Sequence, residues 1–235
     1  MIRIIKSHER HHANFGWLDT HWHFSFDSYY DPANTNWGAL RVFNDDTVEP
    51  AQGFGTHPHR DMEIVTYVLS GQLEHQDSNG NRGVLEPGEV QVMSAGTGIL
   101  HSEYNHSKQN PVHFIQLWIL PRTRGSKPRW EQRRITREER AGKLLPVVSS
   151  GELKGSLAID QDAQIYISSL EAGRQVVHTS GLHRKAYLFV TEGSASVNGN
   201  ALAAGDQARI ADERELQIQA DQNAELILLD LPAQP

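Results

Sequence analysis

Hydrophobic positions in this chain come in short runs rich in branched and aromatic residues. Ile64-Val65-Thr66-Tyr67-Val68-Leu69, the run from His113 to Leu120, and Glu225-Leu226-Ile227-Leu228-Leu229 are bounded by Gly, Pro, Asn or Asp. That length and composition predict β-strands, because a pleated surface packs branched and aromatic side chains well. Asn79-Gly80 and Asn198-Gly199 offer the residues that a two-residue hairpin turn requires. A helical period is scarce outside one segment, Trp130 to Arg140, where Arg134 and Glu138 stand four apart as a helical ion pair would. Many short strands at close spacing predict an all-β chain built as a sandwich or barrel.

The pattern also repeats. Tyr67-Val68-Leu69-Ser70-Gly71-Gln72-Leu73 is answered by Phe189-Val190-Thr191-Glu192-Gly193-Ser194-Ala195. Each is a hydrophobic strand that ends in glycine and resumes as an alternating strand. A hairpin follows, and Leu85-Glu86-Pro87-Gly88-Glu89 is echoed by Leu202-Ala203-Ala204-Gly205-Asp206. Gly71 and Gly193 lie 122 residues apart, Gly88 and Gly205 lie 117. Near-equal offsets predict two antiparallel β-barrels of one plan, the second with a shorter hairpin.

Charge marks where they divide. The net charge is -7, yet Lys127 to Lys143 carries 7 basic residues against 3 acidic ones. Pro121, Gly125 and Pro128 precede this stretch, and Gly142 and Pro146 close it. The expected organisation is residues 1–126 as one domain, 127–143 as a basic linker with a short solvated helix, and 144–235 as the second domain. The acidic balance argues against general nucleic-acid binding, which needs a basic surface. The early charges of Met1 to Arg10 do not suit a secretory signal, and no apolar run nears the roughly 18 residues of a membrane span. A cytoplasmic, soluble chain with no membrane partner is expected.

There is no cysteine, so disulfides, iron–sulfur clusters and thiolate metal sites are excluded. The 13 histidines leave nitrogen and oxygen ligands available. His57-Pro58-His59 and His101-Ser102-Glu103 are the informative spacings, since residues two apart on a strand share a face. Two such strands side by side would gather three imidazoles and a carboxylate around one point, a ligand set for a divalent transition metal. Glu63 has the same parity as His57 and His59, which makes it a rival carboxylate. His21-Trp22-His23 repeats the His-x-His spacing without a third ligand nearby, so hydrogen-bonded imidazoles are expected there. His8, His11 and His12 read as a solvated edge, and His75, His106 and His113 receive no role. His178 and His183, the histidines of the second copy, are five apart and face opposite ways on a strand. That copy is expected to hold no metal and to brace the first.

The His-x-His-x3-Glu run, the strand ending at Gly71, Pro87-Gly88-Glu89 and His101-x3-Asn105 resemble the two motifs of the cupin superfamily. Gly16-Trp17-Leu18, Phe24-Ser25-Phe26, Leu40-Arg41-Val42, Gly53 to His59 and Gln91 to Glu103 are similar to the pirin family, in particular its bacterial quercetin 2,3-dioxygenase branch. The likeness is detailed over roughly residues 14–120 and holds in outline beyond. It implies a bicupin fold with one metal, bound by His57, His59, His101 and Glu103, and it favours Glu103 over Glu63.

What the resemblance implies for activity is dioxygenation of a flavonol such as quercetin, with carbon monoxide released. The implied partners are a flavonoid or polyphenol substrate and dioxygen. The implied cofactor is one divalent transition metal per chain, Fe(II) first, with Zn, Mn, Ni, Co or Cu as alternatives. Glu103 is also the expected catalytic proton acceptor. Phe54, Met62 and Ile99, beside the ligands, are candidates for lining an apolar pocket. Two other readings need the same ligands: a pirin-type regulatory protein whose metal state is read by a protein partner, and a cupin enzyme acting on another enol or polyphenol.

Overall fold

The structure, a computed structural model, describes residues 1–234. It consists of two units on one plan, each a seven-stranded sheet over a four-stranded one. In the first unit the large sheet runs, in spatial order, through Arg129–Arg134, Glu89–Ser94, Glu63–Ser70, Val112–Ile119, Leu40–Val48, Leu18–Trp22 and His11–Asn14. Its small sheet runs through Gly53–His59, Ile99–Asn105, Leu73–Asp77 and Arg82–Leu85. The second unit repeats this, with Gln175–Thr179, Glu215–Ala220, Ser194–Val197 and Asn200–Ala203 as its small sheet. Both units are therefore double-sheet cupin folds, open at the sheet edges rather than fully closed barrels.

The repeat in the sequence has a structural cause. Gly71 and Gly193 both adopt positive φ, +76° and +73°, at the end of their strands. A Cβ on either would meet a carbonyl oxygen, that of Pro111 at 2.5 Å or of Asn223 at 1.9 Å. Only glycine allows the chain to leave one sheet for the other so closely.

The two large sheets pack face to face. Phe43, Tyr67, Ile115 and Leu117 from the first join Ile167, Tyr187, Phe189 and Ile227 from the second in one buried cluster. The opposite face of the first sheet looks into its own unit, where Val48, Val68 and Phe114 pack with Leu73 and Leu85 of the small sheet. A sheet buried on both faces has no solvent side, which explains why Ile64 to Leu69 reads as a continuous apolar run instead of an alternating one.

The basic segment differs from the linker helix that its sequence suggests. Arg129–Arg134 is a strand paired with Glu89–Ser94, and the helix is a single turn, Arg137–Arg140, capped by the Thr136 hydroxyl accepting from the Glu139 amide. Helix propensity yields here to tertiary contact, since Trp130 packs beside Ile64, Met93 and Ile99 and so fixes the segment as an edge strand. The first strand, Ile2–Ile5, pairs with Gln207–Ala211 of the second unit. Hydrogen bonding thus crosses the expected boundaries at 126 and 143. Among the described residues no helix is long and apolar enough to cross a membrane.

Candidate metal centre and substrate cavity

The strand Gly53–His59 lies antiparallel to Ile99–Asn105, with His57 directly opposite His101. Between that pair and the next, Glu103 opposite Phe54, the ladder shifts register by one residue. Ile99–Asn105 keeps its alternation, so Ile99, His101, Glu103 and Asn105 point inward while Leu100 and Tyr104 face out. The His57 and His101 rings stand 4.4 Å apart, and the His59 ring lies 4.8 Å from His101 and 4.9 Å from His57. One nitrogen from each of the three falls within a common 4.8 Å. A second group shares His101: His75, His101 and Glu103 also offer atoms within 4.8 Å of one another.

The local chemistry suits a cation. His57 Nδ1 lies 2.7 Å from the Gly55 carbonyl, the tautomer that leaves Nε2 free to ligate. Both ring nitrogens of His101 and Oε1 of Glu103 are buried without a hydrogen-bond partner. Buried polar atoms are normally paired, so orphans clustered in so small a space indicate a missing partner of opposite character. Burial, followed by the neighbouring His101 and His57, lowers the His59 pKa to about 4. Burial, followed by His57 and His75, lowers that of His101 to about 3. Both rings are thus neutral near pH 7, with lone pairs available. All the donors are nitrogen and oxygen, matching the borderline divalent transition metals.

Two tryptophan–glutamine pairs hold the cluster. Trp118 Nε1 donates to Gln116 Oε1 at 3.0 Å, and Gln116 Nε2 donates to Glu103 Oε2 at 2.8 Å. This fixes the carboxylate and leaves Oε1 unbound. On the other flank Trp130 Nε1 donates to Gln91 Oε1 at 2.7 Å, and the Trp130 ring stacks on His75 with 5.6 Å between centroids. Glu63 is elsewhere: it accepts from Ser94 Oγ at 2.5 Å and lies on the large sheet. Its shared parity fails because Arg60 to Met62 carry the chain between sheets through a positive φ of 47° at Asp61.

Beside the cluster is a cavity of about 510 Å³ reached by His57, Glu103, Gln116 and Trp118. Phe15, Trp17, Trp22, Phe26, Phe54 and Trp118 make most of its wall aromatic. Of the three residues expected to line it, Phe54 does, whereas Met62 and Ile99 pack beneath with Ile64 and Met93. Asn44 and Asp46 add polar groups the sequence reading passed over. Their signal was alternation, since Val42, Asn44, Asp46 and Val48 share one face of their strand. Likewise Leu73, His75 and Asp77 alternate as the buried positions of theirs, which places His75 inside.

Most of the remaining histidines have structural partners. His23 Nδ1 lies 2.5 Å from the Tyr187 hydroxyl, His21 stacks on His12, and His113 Nε2 lies 2.6 Å from Asp45. Among the described residues neither His21 nor His23 belongs to a cluster of three or more groups that could hold a metal. His106 pairs with Glu74 at the surface. In the second unit the strand equivalent to the His101 strand turns Leu216, Ile218 and Ala220 inward, into an apolar cluster.

Double-sheet units of this kind, with imidazoles and a carboxylate gathered inside one of them, define a two-domain cupin with a site suited to a divalent metal. Comparison with known proteins narrows the class. Residues 5–119 match the model of the pirin family, and residues 146–231 match that of the quercetinase C-terminal cupin domain. The chain is 48% identical over 233 residues to an Escherichia coli protein named quercetin 2,3-dioxygenase, covering 99% of both. It is 45% identical to a pirin-like protein of Caulobacter vibrioides, covering 93% of this chain and 94% of that one. The crystal structure of the bacterial pirin YhhW from Escherichia coli in complex with nickel(II) superposes with a TM-score of 0.94 at 46% identity, covering 99% of both chains. This chain belongs to the pirin family.

Proposed function

We propose that the chain is a metal-dependent dioxygenase that opens the heterocycle of a flavonol such as quercetin. It is a quercetin 2,3-dioxygenase-like oxidoreductase by its full-length likeness to proteins of that name. The observation that carries the substrate reading is the aromatic cavity of about 510 Å³ opening directly on Glu103 and His57. Its size and flat apolar walls suit a rigid ring system of drug-like dimensions.

His57, His59, His101 and Glu103 would hold one divalent metal, and the nickel complex of the related bacterial pirin is consistent with that. When bound, the metal supplies a Lewis-acidic centre that acidifies an enol hydroxyl and brings dioxygen to it. The chain's own residues do the rest. Glu103, with Oε2 tied to Gln116, has Oε1 as its one free oxygen, which would accept the hydroxyl proton on release from the metal. Trp118 and Phe54 confine the ring and keep bulk water from it. Overall, both atoms of dioxygen enter the product and one ring carbon leaves as carbon monoxide.

The enzyme reading is favoured over a regulatory one by the cavity at the site, and part of the basic segment is engaged within the chain. Arg133 pairs with Glu139, Arg134 with Glu86 and Arg140 with Glu225. The test is loss of flavonol absorbance under air, with carbon monoxide measured, for protein loaded separately with iron, nickel, manganese, cobalt, copper and zinc. Turnover with at least one metal is expected. No oxygen-dependent loss with any of them would give the regulatory reading precedence.

A further inference from the structure

Two buried polar side chains in the cavity wall make almost no hydrogen bonds to the protein. Asn44 is 4% exposed, no side-chain hydrogen bond forms to it among the described residues, and its Oδ1 is fully buried without a partner. Asp46, also 4% exposed, receives one bond, from Thr20 Oγ1 to Oδ1, and its Oδ2 has none. They are two apart on Leu40–Val48, which turns both to the inside of the first unit. Asn44 stands opposite Gln116, the residue that grips Glu103, and Asp46 stands opposite Phe114.

Stability does not account for either residue. A buried amide oxygen with no partner and a buried carboxyl with one neutral donor both oppose folding, and apolar residues of the same size would pack better. The outward neighbour shows the contrast: Asp45, between them, is held by Arg10 at 2.7 Å and His113 at 2.6 Å. Asn44 and Asp46 have no such partners, and the space they face is the substrate cavity.

We infer that Asn44 and Asp46 form a hydroxyl-reading subsite, which makes the cavity select flat aromatic substrates bearing a phenolic hydroxyl beyond the enol at the metal centre. The inference rests on the flavonol reading above for the ring system, but not on turnover. A phenolic O–H donates to the unbound oxygen of Asp46, and a second hydroxyl on the same ring accepts from Asn44 Nδ2, which is neither bonded nor fully buried. Each of these two polar atoms then gains in the complex a bond it lacks in the free protein. A site built this way discriminates strongly against a ligand without the hydroxyl, which leaves both groups covered and unpaired.

The test compares two flavonols by calorimetric titration of the nickel-loaded protein under nitrogen, where no oxygenation can occur. Quercetin carries ring hydroxyls beyond the enol; 3-hydroxyflavone has the same enol and ketone and no other hydroxyl. Wild-type protein is expected to bind quercetin about tenfold or more tightly than 3-hydroxyflavone. Asp46→Asn and Asn44→Leu should each shrink that preference by weakening quercetin binding severalfold more than 3-hydroxyflavone binding. Asn44→Leu should melt no lower than wild type, since it replaces an orphan amide by an apolar group with the same number of heavy atoms beside open space, so a folding defect cannot mimic the result. Equal wild-type affinity for the two flavonols would overturn the subsite. So would variants that weaken both ligands alike. A preference that is present and lost in the variants, in a protein that turns over neither flavonol in air, would uphold the subsite and overturn the dioxygenase reading alone.

Discussion

The two units share one strand plan and differ in what fills them. Where the first turns His101 and Glu103 inward, the second turns Leu216, Ile218 and Ala220, each fully buried. The second interior is a packed core that earns its place through stability. The first keeps imidazoles, unpaired acceptors and an aromatic cavity, features that cost stability and serve a ligand. One copy of the plan is therefore filled as a core, while the other keeps an open cavity beside its polar cluster. The shared face of Phe43, Tyr67, Tyr187 and Phe189 lets the first lean on the second.

The largest expected effect is catalytic. Glu103→Gln keeps shape and an oxygen to accept from Gln116 Nε2 but removes the negative charge and the proton acceptor. Oxygen-dependent quercetin loss should fall about a hundredfold or more, with metal still held through three histidines. Full activity with metal in place would leave the carboxylate without a catalytic role.

Next is the packing of the second interior. Leu216→Ala should cost roughly 2–5 kcal/mol in denaturant unfolding, as expected for truncation in a filled core. Phe54→Ala at the first unit's cavity wall should cost clearly less, because its site already borders open space. Equal costs would erase the distinction between core and cavity.

Much of this division was legible in the sequence, for a geometric reason. Residues two apart on a strand must share a face, so His57 with His59 and His101 with Glu103 were paired before any fold was known. The same rule misled at Glu63, because a positive φ at Asp61 moves the chain to another sheet and parity does not survive the turn. His75 was missed because its role depends on which strand lies beside Glu103: the register sets the two directly opposite, and nothing local encodes that. The strand at Arg129–Arg134 was hidden for the same reason, since its placement depends on Trp130 packing by His75. Asn44 and Asp46, flanking Asp45, give a polar stretch whose alternation matters only once both faces of the sheet are known to be buried.

A smaller effect concerns the positioning chain. Gln116→Leu removes the donor that orients Glu103 and should weaken metal affinity about 10–100-fold without unfolding the protein. Unchanged affinity would mean that the Trp118–Gln116–Glu103 chain is incidental.

The smallest effects oppose each other in sign across the two units. Burial, reinforced by the Asp45 and Glu103 charges and opposed by Thr20, raises Asp46 to about 7 from an ordinary 3.8. Between about 4 and 7 the folded state keeps a proton that the unfolded state releases, so stability falls as pH rises through that window. Burial also pushes Asp230 up, but bonds from His178, Arg184 and Ser180 outweigh it and hold it below 3.8. Its contribution is present above the unfolded value and is lost as pH falls through the folded one. In metal-free protein at pH 8, Asp46→Asn should raise the melting temperature and Asp230→Asn should lower it. Both differences should shrink near pH 4 and below, and shifts of the same sign at pH 8 would contradict the assignment.

The central claim, that one unit carries a metal centre and the other a core, is tested most directly by metal stoichiometry. Elemental analysis after loading and desalting should give one divalent metal per chain in wild-type protein and in His178→Ala, and essentially none in His101→Ala. Two metals per chain, or undiminished metal in His101→Ala, would contradict it.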